Sequence, residues 1–150
     1  MIYYRNDVKG SGVDGRALVA TAKKLLVAAG EASSSLSLTL VGDASIRELN
    51  REHRGKDKAT DVLSFSLVEN GSASAERLLG DVVISVDTAR RQAVEYDATL
   101  QAELYRLLIH GILHVMGHDH ERAGERRAMV AAERRLAQAI GLAWPYDGEN

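Results

Sequence analysis

The stretch "HGILHVMGHDH", His110 to His120, holds four of the chain's five histidines. No cysteine occurs anywhere, so imidazoles and carboxylates are the strong metal ligands on offer. The pattern before and through this stretch predicts a helix from Thr99, a good N-cap, to about Met116. Its buried arc is Leu100, Leu104, Leu107, Leu108, Gly111 and Val115. At about 100° per residue, His110 and His114 lie together roughly 20 to 60° outside one edge of that arc, where a cleft can reach them. Two histidines at i and i+4 can converge on one ion. His118 continues the series, but in a continuous helix it would lie about 12 Å along the axis from His110, and ligands of one zinc sit no more than about 4 Å apart. Gly117 offers another route, because glycine adopts the left-handed conformation that ends a helix and turns the chain back. After such a turn His120 can return to the ion held by His110 and His114.

The resulting spacing, HxxxHxxGxxH, matches the ligand spacing of the zinc proteases that carry HExxHxxGxxH. Three neutral imidazoles leave a fourth position for water, so the expected site is one zinc ion, or another metal that three imidazoles suit, in a catalytic arrangement. Where those proteases place a general-base Glu, this chain has Gly111. That absence turns the expectation away from peptide hydrolysis. His118 reads as an exposed or supporting residue, and Asp119 either orients a ligand imidazole or sits in the turn facing solvent.

A second segment carries charge. Between Arg47 and Lys58 the chain places Arg47, Arg51, Arg54, Lys56 and Lys58 against Glu48, Glu52 and Asp57. Alone, this reads as a solvated helix face laced with ion pairs. The net charge of the whole chain is -2, so any binding of nucleic acid must rest on a local patch of this kind.

The elements that must position these residues follow from periodicity. Ile2 to Asn6 is a candidate short strand. Leu18, Ala22, Leu25, Leu26 and Ala29 repeat at helical spacing until Gly30. Leu36, Leu38 and Leu40 alternate with polar residues as in a half-buried strand. Asp43 is placed to cap a helix whose buried side is Ile46, Leu49 and His53. "TDVLSFSL" from Thr60 and "LGDVVISV" from Leu79 are strands, with a polar loop over residues 68–78 between them. Helices follow at Thr88 to Tyr96, at the histidine segment, and from about Arg122 to Ile140, with Gly141 as its stop. The N-terminal "DVKGSGVDG" reads as loose. The expected fold is therefore α/β or α+β, with a small mixed sheet of three to four strands packed by four to five helices. The metal motif falls at a helix C-terminus and the turn after it.

Composition fits that expectation: 150 residues, 45% hydrophobic and 27% charged, suit one globular domain spanning 1–150. The N-terminus lacks an apolar leader, and no run of eighteen uncharged apolar residues occurs, so the expected location is cytoplasmic and no membrane partner is expected.

"HGILHVMGHDH" resembles the signature of the YbeY family of bacterial endoribonucleases, close to HGxLHLxGYDH. "LNREHRGKDKATDVLSF", residues 49–65, and "LGDVVIS", residues 79–85, resemble two further signatures of that family, in the same order. Val115 stands where Leu is usual and His118 where Tyr is common. The resemblance implies an α/β fold and a three-histidine site usually assigned to zinc, with His110, His114 and His120 matching the ligands. It also implies that Arg54 matches a functionally essential arginine. The implied activity is single-strand-specific RNA cleavage in maturation of the small-subunit (16S) ribosomal RNA 3′ end and in ribosome quality control. Single-stranded RNA, ribosomal RNA and the small subunit are the implied partners.

The two readings combine into one mechanism. Phosphodiester cleavage needs a Lewis acid, a nucleophile and a cationic clamp, and the histidine site and the planar fork of Arg54 supply the first and the last. Water and the RNA's own 2′-hydroxyl both remain open as nucleophile. Two other classes compete: a ribosome-docking factor with a structural ion, and a metallopeptidase using Asp61 or Asp81 as a remote base.

Overall fold

The computed structural model describes residues 1–67, 77–118 and 122–144. Among these residues four strands and five helices follow in the order β1 (Ile2–Asn6), α1 (Gly15–Ala28), β2 (Ser35–Val41), α2 (Asp43–Arg54), β3 (Val62–Ser66), β4 (Leu78–Ser85), α3 (Val86–Glu95), α4 (Leu100–Val115) and α5 (Ala123–Ala139). This is the mixed α/β layer structure expected from the patterning. The strands form one sheet in the order β1-β2-β4-β3. β1 with β2, and β2 with β4, are parallel. β3 runs antiparallel to β4 and, last in that order, is an edge strand among the described residues.

Period-two alternation gives the sheet two different faces. Leu36, Leu38, Leu40, Val82 and Ile84 pack under α1, α4 and α5 in the main core. On the other face Val41, Leu63 and Val83 meet Ile46 of α2, with Phe65 and Leu49 at the margin. The same alternation turns Ser64 and Ser66 of β3 towards α4. The Ser64 hydroxyl donates to the Gly111 carbonyl at 3.2 Å, and that of Ser66 to the Val115 carbonyl at 2.9 Å.

Helix α4 sits closer to the sheet than a side chain at position 111 would permit. A Cβ on Gly111 would lie 2.6 Å from Val82 Cγ1 and 3.0 Å from Val82 Cγ2. On β4, a Cβ on Gly80 would collide with the Phe65 carbonyl and stand 3.1 Å from Val115 Cγ1. Gly111 lets α4 settle on Val82 and Gly80 lets β4 approach the β3 backbone, and the Ser64 and Ser66 bonds then hold β3 beside α4. Thr99 caps α4 as expected, its side chain accepting from the Ala102 N–H at 3.0 Å. The helix is buried more widely than the expected arc, since Ile109, Ile112 and Leu113 are also in the core. That follows from its central place, with α1, α3, α5, β3 and β4 all packed against it.

Three local expectations are corrected. Asp43 does not cap α2: Gly42 is the N-cap, and the Asp43 N–H donates to Asp87 Oδ2 of α3 at 2.9 Å. The Asp43 carboxylate instead accepts from the Ser85 and Thr88 hydroxyls and from Arg91. Burial pushes this carboxyl up, but those three donors outweigh it and hold it below the usual carboxylate range. His53 is exposed and lies edge-on to Phe65 with ring centroids 5.0 Å apart, while Asn50 takes the inner position on α2. The segment after β1 is pinned rather than loose. Ser11 is buried, its hydroxyl oxygen accepts from Asn6 Nδ2 and the Val13 N–H, and its carbonyl accepts from Arg90. Of the polar loop expected at 68–78, residues 68–76 lie outside the described residues and Leu78 already belongs to β4. No helix among the described residues is long and apolar enough to cross a membrane.

Candidate metal centre and its cavity

One turn of helix separates His110 from His114, and their side chains leave α4 beside β3. Their Nε2 atoms are 3.1 Å apart, with the rings inclined at 70°. An ion at about 2.0 to 2.1 Å from each nitrogen in tetrahedral geometry needs the two nitrogens about 3.3 Å apart. The pair therefore fits a shared ion with little movement, and imidazole nitrogen is a donor that zinc accepts. On the other side of the His110 ring, Glu133 Oε2 of α5 stands 3.6 Å from Nδ1. A carboxylate on that side favours the proton on Nδ1 and leaves the Nε2 lone pair for the face that His114 shares.

Both histidines line a cavity of about 660 Å³. Arg54, from the last turn of α2, lines it too, as do Thr60, Asp61, Ser64 and Ser66 along β3 and its approach. Gly117 ends α4 as expected, with φ +101°; its N–H donates to the His114 carbonyl and that of His118 to the Leu113 carbonyl. His118 consequently lines the same cavity. The axial separation of a continuous helix does not apply to it, because the helix stops at Val115. Asp119 and His120 lie outside the described residues.

The basic segment divides in two. Arg47 pairs with Asp57 at 2.9 Å and Arg51 with Glu48 at 3.4 Å, which is the solvated ion-paired face expected of it. Arg54, Lys56 and Lys58 are exposed and form no ion pair among the described residues. Gly55, left-handed at φ +68°, turns the chain after Arg54, and Asn50 Nδ2 holds the Lys58 carbonyl at 2.9 Å. Of these three cations Arg54 lines the histidine cavity, while Lys58 lines a separate pocket with Asp43, Arg47 and Asp57.

Gly111 faces Val82 and Ser64, away from the His110–His114 face, so the close packing of α4 on the sheet leaves no room there for the general-base Glu of a zinc protease. Of the two remote carboxylates considered, Asp61 lines the cavity and Asp81, on β4, does not. Glu133 was not singled out from the sequence. A signal existed, since it falls between Met129 and Leu136 on the buried face of α5, where a carboxylate needs a partner.

Comparison with known proteins bears on the same residues. Residues 5–141 match the family model described as Endoribonuclease YbeY. The chain is 52% identical over 127 residues to a protein named Endoribonuclease YbeY from an Anaeromyxobacter species, covering 85% of this chain and 65% of that protein. It is 49% identical to a Myxococcus xanthus protein of the same name, of which the match spans 46%. To the Moorella thermoacetica protein of that name it is 44% identical, with 85% of this chain and 90% of that protein covered. Thus the chain spans under two thirds of the length of some of these relatives. The solution structure of a Thermotoga maritima protein superposes with a TM-score of 0.64 at 29% identity, covering 94% of this chain and 90% of that one.

Proposed function

The chain belongs to the YbeY family, and on that premise we propose that it is a metal-dependent endoribonuclease that cuts single-stranded RNA. In this reading His110, His114 and His120 hold one ion, zinc by preference, and Arg54 grips the phosphate. The observation that carries it is the convergence on one cavity of the paired Nε2 atoms, 3.1 Å apart, and of an arginine outside any ion pair among the described residues. A bound divalent ion would supply Lewis acidity towards a phosphoryl oxygen. The chain's own residues supply the rest. Glu133 orients His110, and the planar guanidinium of Arg54 can hold two phosphate oxygens at once and counter the charge that builds on them during cleavage. Lys56 and Lys58 add sequence-independent attraction for the backbone on either side. By family resemblance, the substrate in the cell is the 3′ end of the small-subunit ribosomal RNA, met on the small subunit in the cytoplasm.

The test is incubation of metal-quantified protein with single-stranded and duplex RNA. The single strand is cut and the duplex is spared. Arg54→Ala lowers the rate by at least about 100-fold while metal content and melting temperature stay unchanged. Cutting at the normal rate by Arg54→Ala removes the clamp. Tight RNA binding without any cutting by the loaded native protein shows a docking factor instead of an enzyme. The termini of the product report whether water or the neighbouring 2′-hydroxyl attacks.

A further inference from the structure

Behind the cavity wall, polar side chains from three elements gather on one carboxylate. Asp61 precedes β3 and lines the cavity, its side chain 27% exposed. Its Oδ1 accepts from the Val62 N–H at 2.7 Å and from the Thr60 hydroxyl at 3.4 Å. Its Oδ2 accepts from Gln92 Nε2 of α3 at 3.3 Å and faces Arg106 Nη2 of α4 at 3.7 Å. Arg106 in turn donates from Nη2 to Glu103 Oε2 at 2.6 Å, from Nε to the same oxygen at 3.0 Å, and to Gln92 Oε1 at 3.2 Å. Glu103 is 1% exposed. Arg106, His110 and His114 follow at successive i+4 steps of α4, so one helix face carries both the histidine pair and the arm that steadies Asp61.

Taking an ion pair out of water is costly, and apolar side chains of similar size would hold α3 to α4 at least as well. The Glu103–Arg106–Gln92 network does something apolar packing cannot: it fixes the direction of the Asp61 carboxylate at the cavity wall. A carboxylate accepts hydrogen bonds and repels phosphate, so the group it meets on a nucleic acid is a donor. Close to a phosphate held by Arg54 in the same cavity, the donor on RNA is the ribose 2′-hydroxyl, whereas base N–H groups lie farther from the backbone.

We propose that Asp61 is a specificity residue that accepts a hydrogen bond from a ribose 2′-hydroxyl of the bound strand, with Arg106 and Gln92 as its positioning residues. This rests on the RNA-cleaving reading above and adds to it the means by which RNA is told from DNA. The network holds the Asp61 carboxylate in place without substrate, so the preference is built before substrate arrives.

Fluorescence anisotropy on ice, with metal-quantified protein, tests it. The probes are a single-stranded ribo-oligonucleotide and a set in which one residue at a time is 2′-deoxy. Native protein binds one member of the set about tenfold more weakly than the all-ribo strand. In Asp61→Ala that difference disappears, in Gln92→Leu it shrinks, and in Arg54→Ala both strands weaken together while their ratio stays. Asp61→Ala leaves Arg106 on Glu103, so the fold survives, and its melting curve checks this. A deoxy penalty of unchanged size in Asp61→Ala, or no penalty at any position in the native protein, overturns the proposal. If native protein cuts RNA and the penalty ignores Asp61, the ribose assignment alone falls; if native protein neither binds nor cuts RNA, the enzymatic reading falls with it.

Discussion

The two walls of the cavity are held in opposite ways. The histidine wall is α4, whose Leu104, Leu107, Leu108, Ile109 and Ile112 are fully buried and whose carbonyls are clasped by Ser64 and Ser66. The arginine wall is the end of α2, a helix that buries Ile46 and Asn50 and leaves Arg47, Arg51 and Arg54 in solvent. The proposed chemistry explains the difference. Two ligands must keep their nitrogens within a few tenths of an ångström of a fixed spacing, which only a packed scaffold can enforce. A phosphate clamp works by charge and hydrogen bonds at the rim, where an approaching strand can reach it, so exposure is a requirement there.

That contrast can be broken from either side, and the largest effect belongs to the buried wall. His114→Ala and His120→Ala should each lower metal affinity by more than about 100-fold, beyond the loss seen when only a supporting partner is removed. His118→Ala should keep one equivalent of metal. Elemental analysis of the three variants decides it, and loss of metal in His118→Ala with retention in His120→Ala would reassign the third ligand.

Next in size is the seat of α4. Gly111→Ala drives a methyl group into Val82, which is fully buried and β-branched. Overpacking of this kind costs about 1 to 3 kcal/mol against about 1 kcal/mol of helix propensity gained. The melting temperature should fall by a few degrees, and Gly111→Glu should unfold the protein rather than create a peptidase. An unchanged melting temperature in Gly111→Ala would show that α4 can move off the sheet, and the rigid-wall half of the comparison would be wrong.

The smallest effect belongs to the exposed wall. Lys56→Ala and Lys58→Ala should leave stability and metal content alone. Each should reduce the slope of log binding constant against log salt for single-stranded RNA by about 0.7 or less. A fall in melting temperature in either variant would mean that these lysines support the loop instead of meeting phosphate.

Much of this was legible in the chain because it depends on neighbours a few residues apart. The i, i+4 spacing set His110 beside His114, Thr99 and Gly117 marked the two ends of their helix, and alternation in Leu36, Leu38 and Leu40 announced a strand. His53 and Asp43 were misread for one reason. Each matched a local rule, helical periodicity in one case and N-cap preference in the other, while contacts across the fold favoured a different residue. Asn50 could fill the inner position and bind Lys58, and Asp87 was free to cap α2 across 44 positions of sequence.

The sequence by itself determined the histidine pair, the turn after it, the basic segment and the class of fold, since each is written in short-range spacing and residue type. Only the tertiary structure decided that Arg54 shares a cavity with the histidines, that Glu133 backs His110, that position 111 cannot carry a side chain, and that Arg106 and Gln92 converge on Asp61. Those facts depend on how closely a helix settles on a sheet and which side chains then meet across tens of residues. Packing decides such distances, and no periodicity along one chain records them.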